Sequence, residues 1–370
     1  MVFPIGKLVV NCHRKIKYKI GNITVGLYIQ LRMIIMDIKK IAIVAVIIVV
    51  VAALAVGLTM GGDDEKPSGP ITVTANGKTV TLEKPAENII IYPKYIAEAI
   101  ILMDATDKVA GVSKTISTDS NYSSYYADVT NLGANNPATG FDKVLELQPD
   151  LIITYKTYDN TNAYNSGIPV IEIGASKIDE VQTDIEILGK VLGMEDKAKK
   201  ILDWFNKYYD KVQKSEATSG MKFLLEAASK TKVSFMGPTS TMGNLLKLVD
   251  GKNVIESGSY EYLSFDTIIP TNPDVIFILE YNASWNESYL DSYRDGVCSR
   301  AGWDQINAVK TGEVYSVSND IIGGIRSVIG SMFMLSFIDP AFSTLDVSKL
   351  VDEYNSTFGT HFNNKMVYKG

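Results

Sequence analysis

Phenols, hydroxyls and a few cations follow the apolar runs of this chain, a set better suited to recognition than to bond making. Tyr92-Pro93-Lys94-Tyr95 and Tyr155-Lys156-Thr157-Tyr158 each come just after a run that reads as a buried strand. Gly237-Pro238-Thr239-Ser240-Thr241, Tyr281 with Trp285, and the stretch from Asn319 to Arg326 do the same further on. In parallel α/β sheets, ligands bind beyond the carboxyl ends of the strands. The candidate binding residues are therefore Tyr92, Tyr95, Tyr155, Tyr158, Thr239, Ser240, Tyr281, Trp285 and Arg326. Phenol rings stack on a flat organic ligand while their OH groups hydrogen-bond. Arg or Lys pairs with an anionic complex, and a helix start after Gly323-Gly324 would help to hold negative charge. Each has a plainer reading. Thr239 to Thr241 equally cap a helix at Asn244, and Tyr92 and Tyr95 equally pack half-buried; for Arg326 the plainer reading is a surface residue, but its place beside two glycines at a strand-to-helix turn favours the site. Tyr122, Tyr125 and Tyr126 either overhang the site or belong to a surface loop.

The residues for catalysis are missing. The chain has no Gly-rich phosphate loop, no G-x-S-x-G elbow and no Cys/His pair. Its two histidines, His13 and His361, cannot build a multi-His metal cage. No catalytic residue, metal ligand or resident cofactor is assigned. Carboxylate chemistry of the glycosidase kind remains the enzymatic alternative.

The elements that position these residues carry a repeat. Phe141-Asp142, six residues, then Pro149-Asp150-Leu151-Ile152 reappears 124 residues later as Phe265-Asp266, six residues, then Pro273-Asp274-Val275-Ile276. Each copy reads as a short helix, a Pro-Asp corner and a buried strand, Leu151 to Tyr155 and Val275 to Glu280. Proline suits the corner because its fixed φ and missing N–H stop the helix. Two copies imply two similar α/β lobes with a cleft between them. Residues 71–82 alternate around Asn76-Gly77, a hairpin signal, and alternating strands and helices predict mostly parallel sheets. Lys177 to Gln213 is almost wholly helix-forming, and its second part from Glu195 would be a long rod between the lobes. The expected division is a first lobe over 71–192, a linking helix over 193–219 and a second lobe over 220–370.

The charge is uneven. The formal net charge is −6, yet residues 1–40 carry +7 and residues 61–370 carry −13. An acidic body without a basic stripe argues against a nucleic-acid partner. Ile41 to Met60 lacks charge and proline, long enough to span a bilayer. Lys39 and Lys40 before it, with Asp63, Asp64 and Glu65 after it, place the N-terminus inside and the body outside. No Cys follows to carry a lipid, so an uncleaved single-pass anchor in the cell membrane is expected, with 61–70 as a tether. The stretch before Met36 or Met33 is either an upstream extension of the reading frame or a cytoplasmic tail. Cys12 and Cys298 would then lie on opposite sides of the membrane and cannot pair. Sequons at Asn121, Asn282, Asn286 and Asn355 agree with an external location.

Several segments in this order resemble the solute-binding proteins of ABC importers for iron complexes and vitamin B12. They are Asp104-Ala105-Thr106-Asp107-Lys108-Val109-Ala110-Gly111, both Phe-Asp…Pro-Asp units, and the run from Trp303-Asp304-Gln305 to Glu313-Val314-Tyr315. The resemblance covers roughly residues 71–370. It implies an α/β fold of two Rossmann-like lobes joined by one long helix, no enzymatic activity, and an ABC permease and its ATPase as partners. It also implies an acid in each lobe that docks on arginines of the permease. The matching positions are Asp142 and Asp266, where the family usually has Glu; capping of the local helix is the alternative role. The implied ligand is a small-molecule metal chelate, a siderophore-like iron complex or a corrinoid. Bare ferric ion held by Tyr and carboxylates has no tight ligand spacing behind it. A sensor ectodomain without a transporter is the remaining alternative.

Overall fold

Asn76 and Gly77 both take positive φ, 49° and 73°, as a two-residue hairpin turn requires. They join β1 (Ile71–Ala75) to β2 (Lys78–Leu82) in antiparallel register. The computed structural model describes residues 69–174, 177–215, 220–228, 232–280 and 287–369. The basic segment 1–40, the expected span 41–60, nearly all of the tether, Tyr281 and Trp285 lie outside these residues. Among the described residues, no helix is long and apolar enough to cross a membrane.

The first lobe is a wholly parallel sheet. Its strands are β3 (Ile89–Ile91), β4 (Val109–Val112), β5 (Thr130–Asn131), β6 (Leu151–Tyr155) and β7 (Val170–Ile173), in the order β5-β4-β3-β6-β7. Helices cover both faces of such a sheet, so its central strands read as unbroken apolar runs; Ile89, Ile90 and Ile91 are all fully buried. Helix α1 (Lys94–Leu102) leaves the end of β3. The chain then crosses through α2 (Val181–Leu192) and α3 (Glu195–Gln213). Gly193, at φ 64°, takes the left-handed conformation that ends α2. Ile201, Trp204, Phe205, Tyr208 and Val212 line the buried face of α3 at helical spacing, and the helix runs about 29 Å.

The second lobe contains β8 (Lys222–Ala227), β9 (Ser234–Met236), α4 (Thr241–Leu248), β10 (Lys252–Asn253), β11 (Tyr260–Glu261), β12 (Val275–Glu280) and β13 (Val314–Ser318). Then come α5 (Ser327–Ile338), α6 (Val347–Phe358) and β14 (Val367–Lys369). Its sheet runs β11-β9-β8-β12-β13-β14, with β10 also on β8. The β10, β8, β12 and β13 strands are parallel, whereas β9, β11 and β14 pair antiparallel. This lobe is therefore mixed rather than mostly parallel. The short connection from β8 to β9 leaves room only for a reversal, since a parallel crossover takes a dozen residues or more.

One apolar cluster spans both lobes, and each lobe has a further cluster of its own. The shared cluster runs from Ile91 and Ile153 through Phe205 of α3 to Phe223 and Phe277. Helix α5 is apolar around its whole circumference and is buried along nearly its full length, as a helix enclosed on all sides must be.

The repeated phrase folds alike at its corner and differently before it. The first copy has a short α-helix, Asp142–Glu146. The second has two 3-10 turns, Phe265–Thr267 and Ile269–Thr271, where a helix is expected. Pro270 is the reason: it lacks the N–H that an α-helix would need there and crowds the preceding turn. Both copies then pass through a left-handed residue, Gln148 (φ 48°) and Asn272 (φ 44°), directly before the proline. The following aspartates clamp a neighbouring strand. Asp150 accepts from the Glu87 and Asn88 amides at 2.8 and 3.1 Å, and Asp274 accepts from the Lys222 amide at 2.9 Å.

Candidate functional site

The ends of β3 and β6 deliver their tyrosines to one cleft between the lobes, with a volume of about 410 Å³. The first lobe lines it with Tyr92, Lys94, Tyr95, Thr115, Asn135, Tyr155, Thr157 and Tyr158. The second lobe contributes Thr241, Tyr260, Asn319 and Ile322. Tyr155 and Tyr158 meet edge to face at 5.1 Å, a favoured aromatic geometry. Burial pushes the phenols of Tyr92, Tyr95, Tyr155 and Tyr158 up from the ordinary tyrosine value. They stand as neutral hydrogen-bonding groups at neutral pH. Among the described residues, no cluster of His, Cys, Asp or Glu is placed to hold a metal ion.

Tyr95 also reaches across the lobes. Its hydroxyl lies 3.5 Å from the Asn319 carbonyl, and its ring covers the backbone of Gly323 and Gly324, where added Cβ atoms would fall 2.4 and 2.9 Å from it. The glycines are there for this close approach. Tyr95 thus packs on the Gly323-Gly324 turn that precedes α5.

Arg326 does not face the cleft. It is fully buried, with Nε 2.9 Å from Glu98 Oε1 and Nη2 2.7 Å from Glu98 Oε2. Tyr122 and Tyr354 donate to the same carboxylate at 2.7 and 2.5 Å. An arginine in an apolar setting must be paired in this way. Tyr122 and Tyr126 are buried with it, and the Tyr126 hydroxyl donates to the Ala97 carbonyl at 2.6 Å. Tyr122 links the lobes by accepting from Arg326 Nη2 at 2.9 Å, whereas Tyr126 bonds within the first lobe, and neither overhangs the site.

Ser240 and Thr239 also depart from expectation. The Ser240 hydroxyl accepts from the Gly243 amide at 3.0 Å and donates to the Gly237 carbonyl at 2.7 Å, capping α4. Thr239 is exposed and does not line the cleft, which Thr241 does instead. Thr115, Asn135 and Tyr260 escaped sequence reasoning because no local pattern marks them; they come from the short helix Lys114–Thr118, a loop and a short edge strand.

Lys94 is the one charged group lining the cleft among the described residues. Its Nζ lies 2.7 Å from Asp119 Oδ2 and 2.6 Å from Asp320 Oδ1, with little exposure. Burial alone would lower its pKa, but the two carboxylates outweigh that and hold it above the ordinary lysine value. Asp320 is pushed down: burial opposes this, and the charges of Lys94 and Arg326 prevail.

Asp142 and Asp266 are both exposed. Neither caps its turn, since Phe141 and Ser264 hold the cap positions with no side-chain cap bond. Exposed Leu145 adjoins the first, and exposed Tyr262, Leu263 and Phe265 adjoin the second. Two of the sequons are occupied by the fold. Asn121 donates to Asp320 and accepts from the Asn363 amide, and Asn355 bonds both the carbonyl and the amide of Phe362.

Comparison with known proteins follows the same lines. The model of the periplasmic binding protein family matches residues 89–321. The petrobactin-binding protein YclQ of Bacillus subtilis is 26% identical over 69% of this chain and 81% of its own length. The iron(3+)-hydroxamate-binding protein FhuD of the same organism is 24% identical over 75% of this chain and 90% of its own. Among solved structures, the TroA-like periplasmic binding protein FepB from Veillonella parvula aligns with a TM-score of 0.65 at 20% identity. That alignment covers 81% of this chain and 99% of the other.

Proposed function

The chain belongs to the periplasmic binding protein family, of the iron-complex type, and from that premise we propose that it captures a ferric chelate outside the cell and passes it to an ABC permease. The observation that carries this reading is the tyrosine-lined cleft between two lobes that share one apolar cluster. Five phenols, two asparagines and three threonines match the oxygen-rich outer surface of a metal chelate: they stack and hydrogen-bond without competing for the metal. Segment 41–60 would tether the body to the membrane, and Asp142 and Asp266 would meet basic residues of the permease, whose ATPase drives import.

The test is fluorescence titration of the full-length chain with ferric hydroxamate, ferric catecholate and ferric citrate complexes and with cobalamin. Saturable quenching by at least one ferric chelate is expected. Saturation by cobalamin alone would move the assignment to corrinoids, and the absence of any saturable response would overturn it.

A further inference from the structure

The three cations in the candidate strand-end segments, Lys94, Lys156 and Arg326, are each matched to an acid. Arg326 is held by Glu98. Lys156 is held by Glu180. Lys94, the one that lines the cleft, faces two carboxylates, Asp119 and Asp320. The triad of Lys94, Asp119 and Asp320 therefore carries a formal net charge of −1. Its position is fixed from both lobes: Asp119 belongs to the first and Asp320 to the second, and Asn121 also donates to Asp320.

We propose that Asp119 and Asp320 set the charge class of the ligand, by neutralising Lys94 so that the cleft takes an uncharged or cationic metal chelate in preference to a polyanionic one. This rests on the reading of the protein as a chelate receptor and narrows the chemistry of its cargo.

A polyanion entering this cleft would meet a lysine already held from behind by two buried acids, which must break a short ion pair before it can respond. Taking such a ligand out of water without a free counter-charge is unfavourable. The long-range field acts the same way, because residues 61–370 carry −13. Among the described residues, the groups left to bind with in the cleft are dipoles: phenols, amides, hydroxyls and the first turn of α1, whose start at Pro93 has no side-chain cap. Dipoles and aromatic faces suit an electroneutral chelate with carbonyl and hydroxamate oxygens on its surface. A cationic chelate gains further from the surplus carboxylate.

The experiment is competitive titration of the full-length chain with ferrichrome, an uncharged ferric trihydroxamate, ferrioxamine B, a cationic one, and ferric enterobactin, a trianionic tris-catecholate. At least one of the first two is expected to bind tenfold or more tightly than the third. A smaller ratio, or tighter binding of the trianion, overturns the charge assignment while leaving the receptor reading intact. No saturable binding of any ferric chelate overturns both. In Asp320→Asn, which keeps the shape and removes one charge, ferric enterobactin should gain at least threefold while ferrichrome stays within twofold. If both ligands weaken equally, the carboxylate is only structural and the proposal fails; Asp119→Asn gives the same reading should Asp320→Asn not fold.

Discussion

Glu98 and Arg326 form a bidentate ion pair across the lobes, at 2.9 and 2.7 Å, with both side chains almost completely buried. Glu98 stands on α1 of the first lobe, and Arg326 directly precedes α5 of the second. Tyr122 from one lobe and Tyr354 from the other complete the shell around the carboxylate. The pair lies behind the cleft rather than in it, so it fixes how the two walls face each other.

Removing one partner leaves the other charged and buried. Arg326→Met is expected to lower unfolding stability by about 3–5 kcal/mol, whereas Glu98→Leu with Arg326→Met should recover much of that loss. Urea denaturation of the three proteins measures it. A double variant no better than the single one would show that the network acts through its geometry rather than through paired charge.

Gly323 is needed for contact rather than for its backbone angle. Its φ of −139° is open to any residue, but a Cβ would sit 2.4 Å from the Tyr95 ring. Gly323→Ala should destabilise by roughly 1–3 kcal/mol, as overpacking does, and should weaken chelate binding because Tyr95 lines the cleft. In a Tyr95→Ala background the same change should be nearly neutral for stability. Equal destabilisation in both backgrounds would locate the clash elsewhere.

Glu172 ties the hairpin turn to the first lobe. Burial by itself would raise its carboxyl, but hydrogen bonds from Tyr164, Asn160, Asn76 and Lys78 hold it down at about 2; Asn76 and Asn160 donate at 2.6 and 3.0 Å. A depressed carboxyl stabilises the fold above its unfolded value of 4.5, and that contribution is lost as the pH falls from there toward 2. Glu172→Gln should therefore be less stable at pH 6 and show a shallower loss of stability on acidification below pH 4.5. An identical acid limb in both proteins, followed by thermal melting, would discard this linkage.

What could be read from the sequence was what is local. The Phe-Asp…Pro-Asp phrase is legible because turn, proline and clamp lie within a dozen residues, and Asp150 and Asp274 perform the same backbone capture in each lobe. Tyr92, Tyr95, Tyr155 and Tyr158 were found because strand ends in α/β sheets face one way. Arg326 was misplaced because its partner, Glu98, is 228 residues away, and no local pattern tells a buried ion pair from a ligand contact. Ser240 was ambiguous for a related reason: a hydroxyl before a helix suits both a cap and a ligand, and only the Gly243 amide at 3.0 Å decides it. The charge balance at Lys94 was equally hidden, because Asp119 and Asp320 come from opposite lobes.

Asp142 and Asp266 have lost their plainer role, since neither hydrogen-bonds the start of its own turn. Both carboxylates are exposed beside exposed apolar residues, Leu145 in one lobe and Phe265 in the other. Charge beside apolar surface suits a transient protein contact in which arginine meets carboxylate. Asp142→Ala with Asp266→Ala should leave chelate affinity within twofold, because neither residue lines the cleft. Stimulation of the cognate transporter ATPase in reconstituted vesicles should fall at least tenfold, with each single variant intermediate. Because exposed carboxylates add little to stability, the denaturation midpoint should not move, which separates lost docking from lost folding. Full stimulation by the double variant would remove both residues from the contact with the permease.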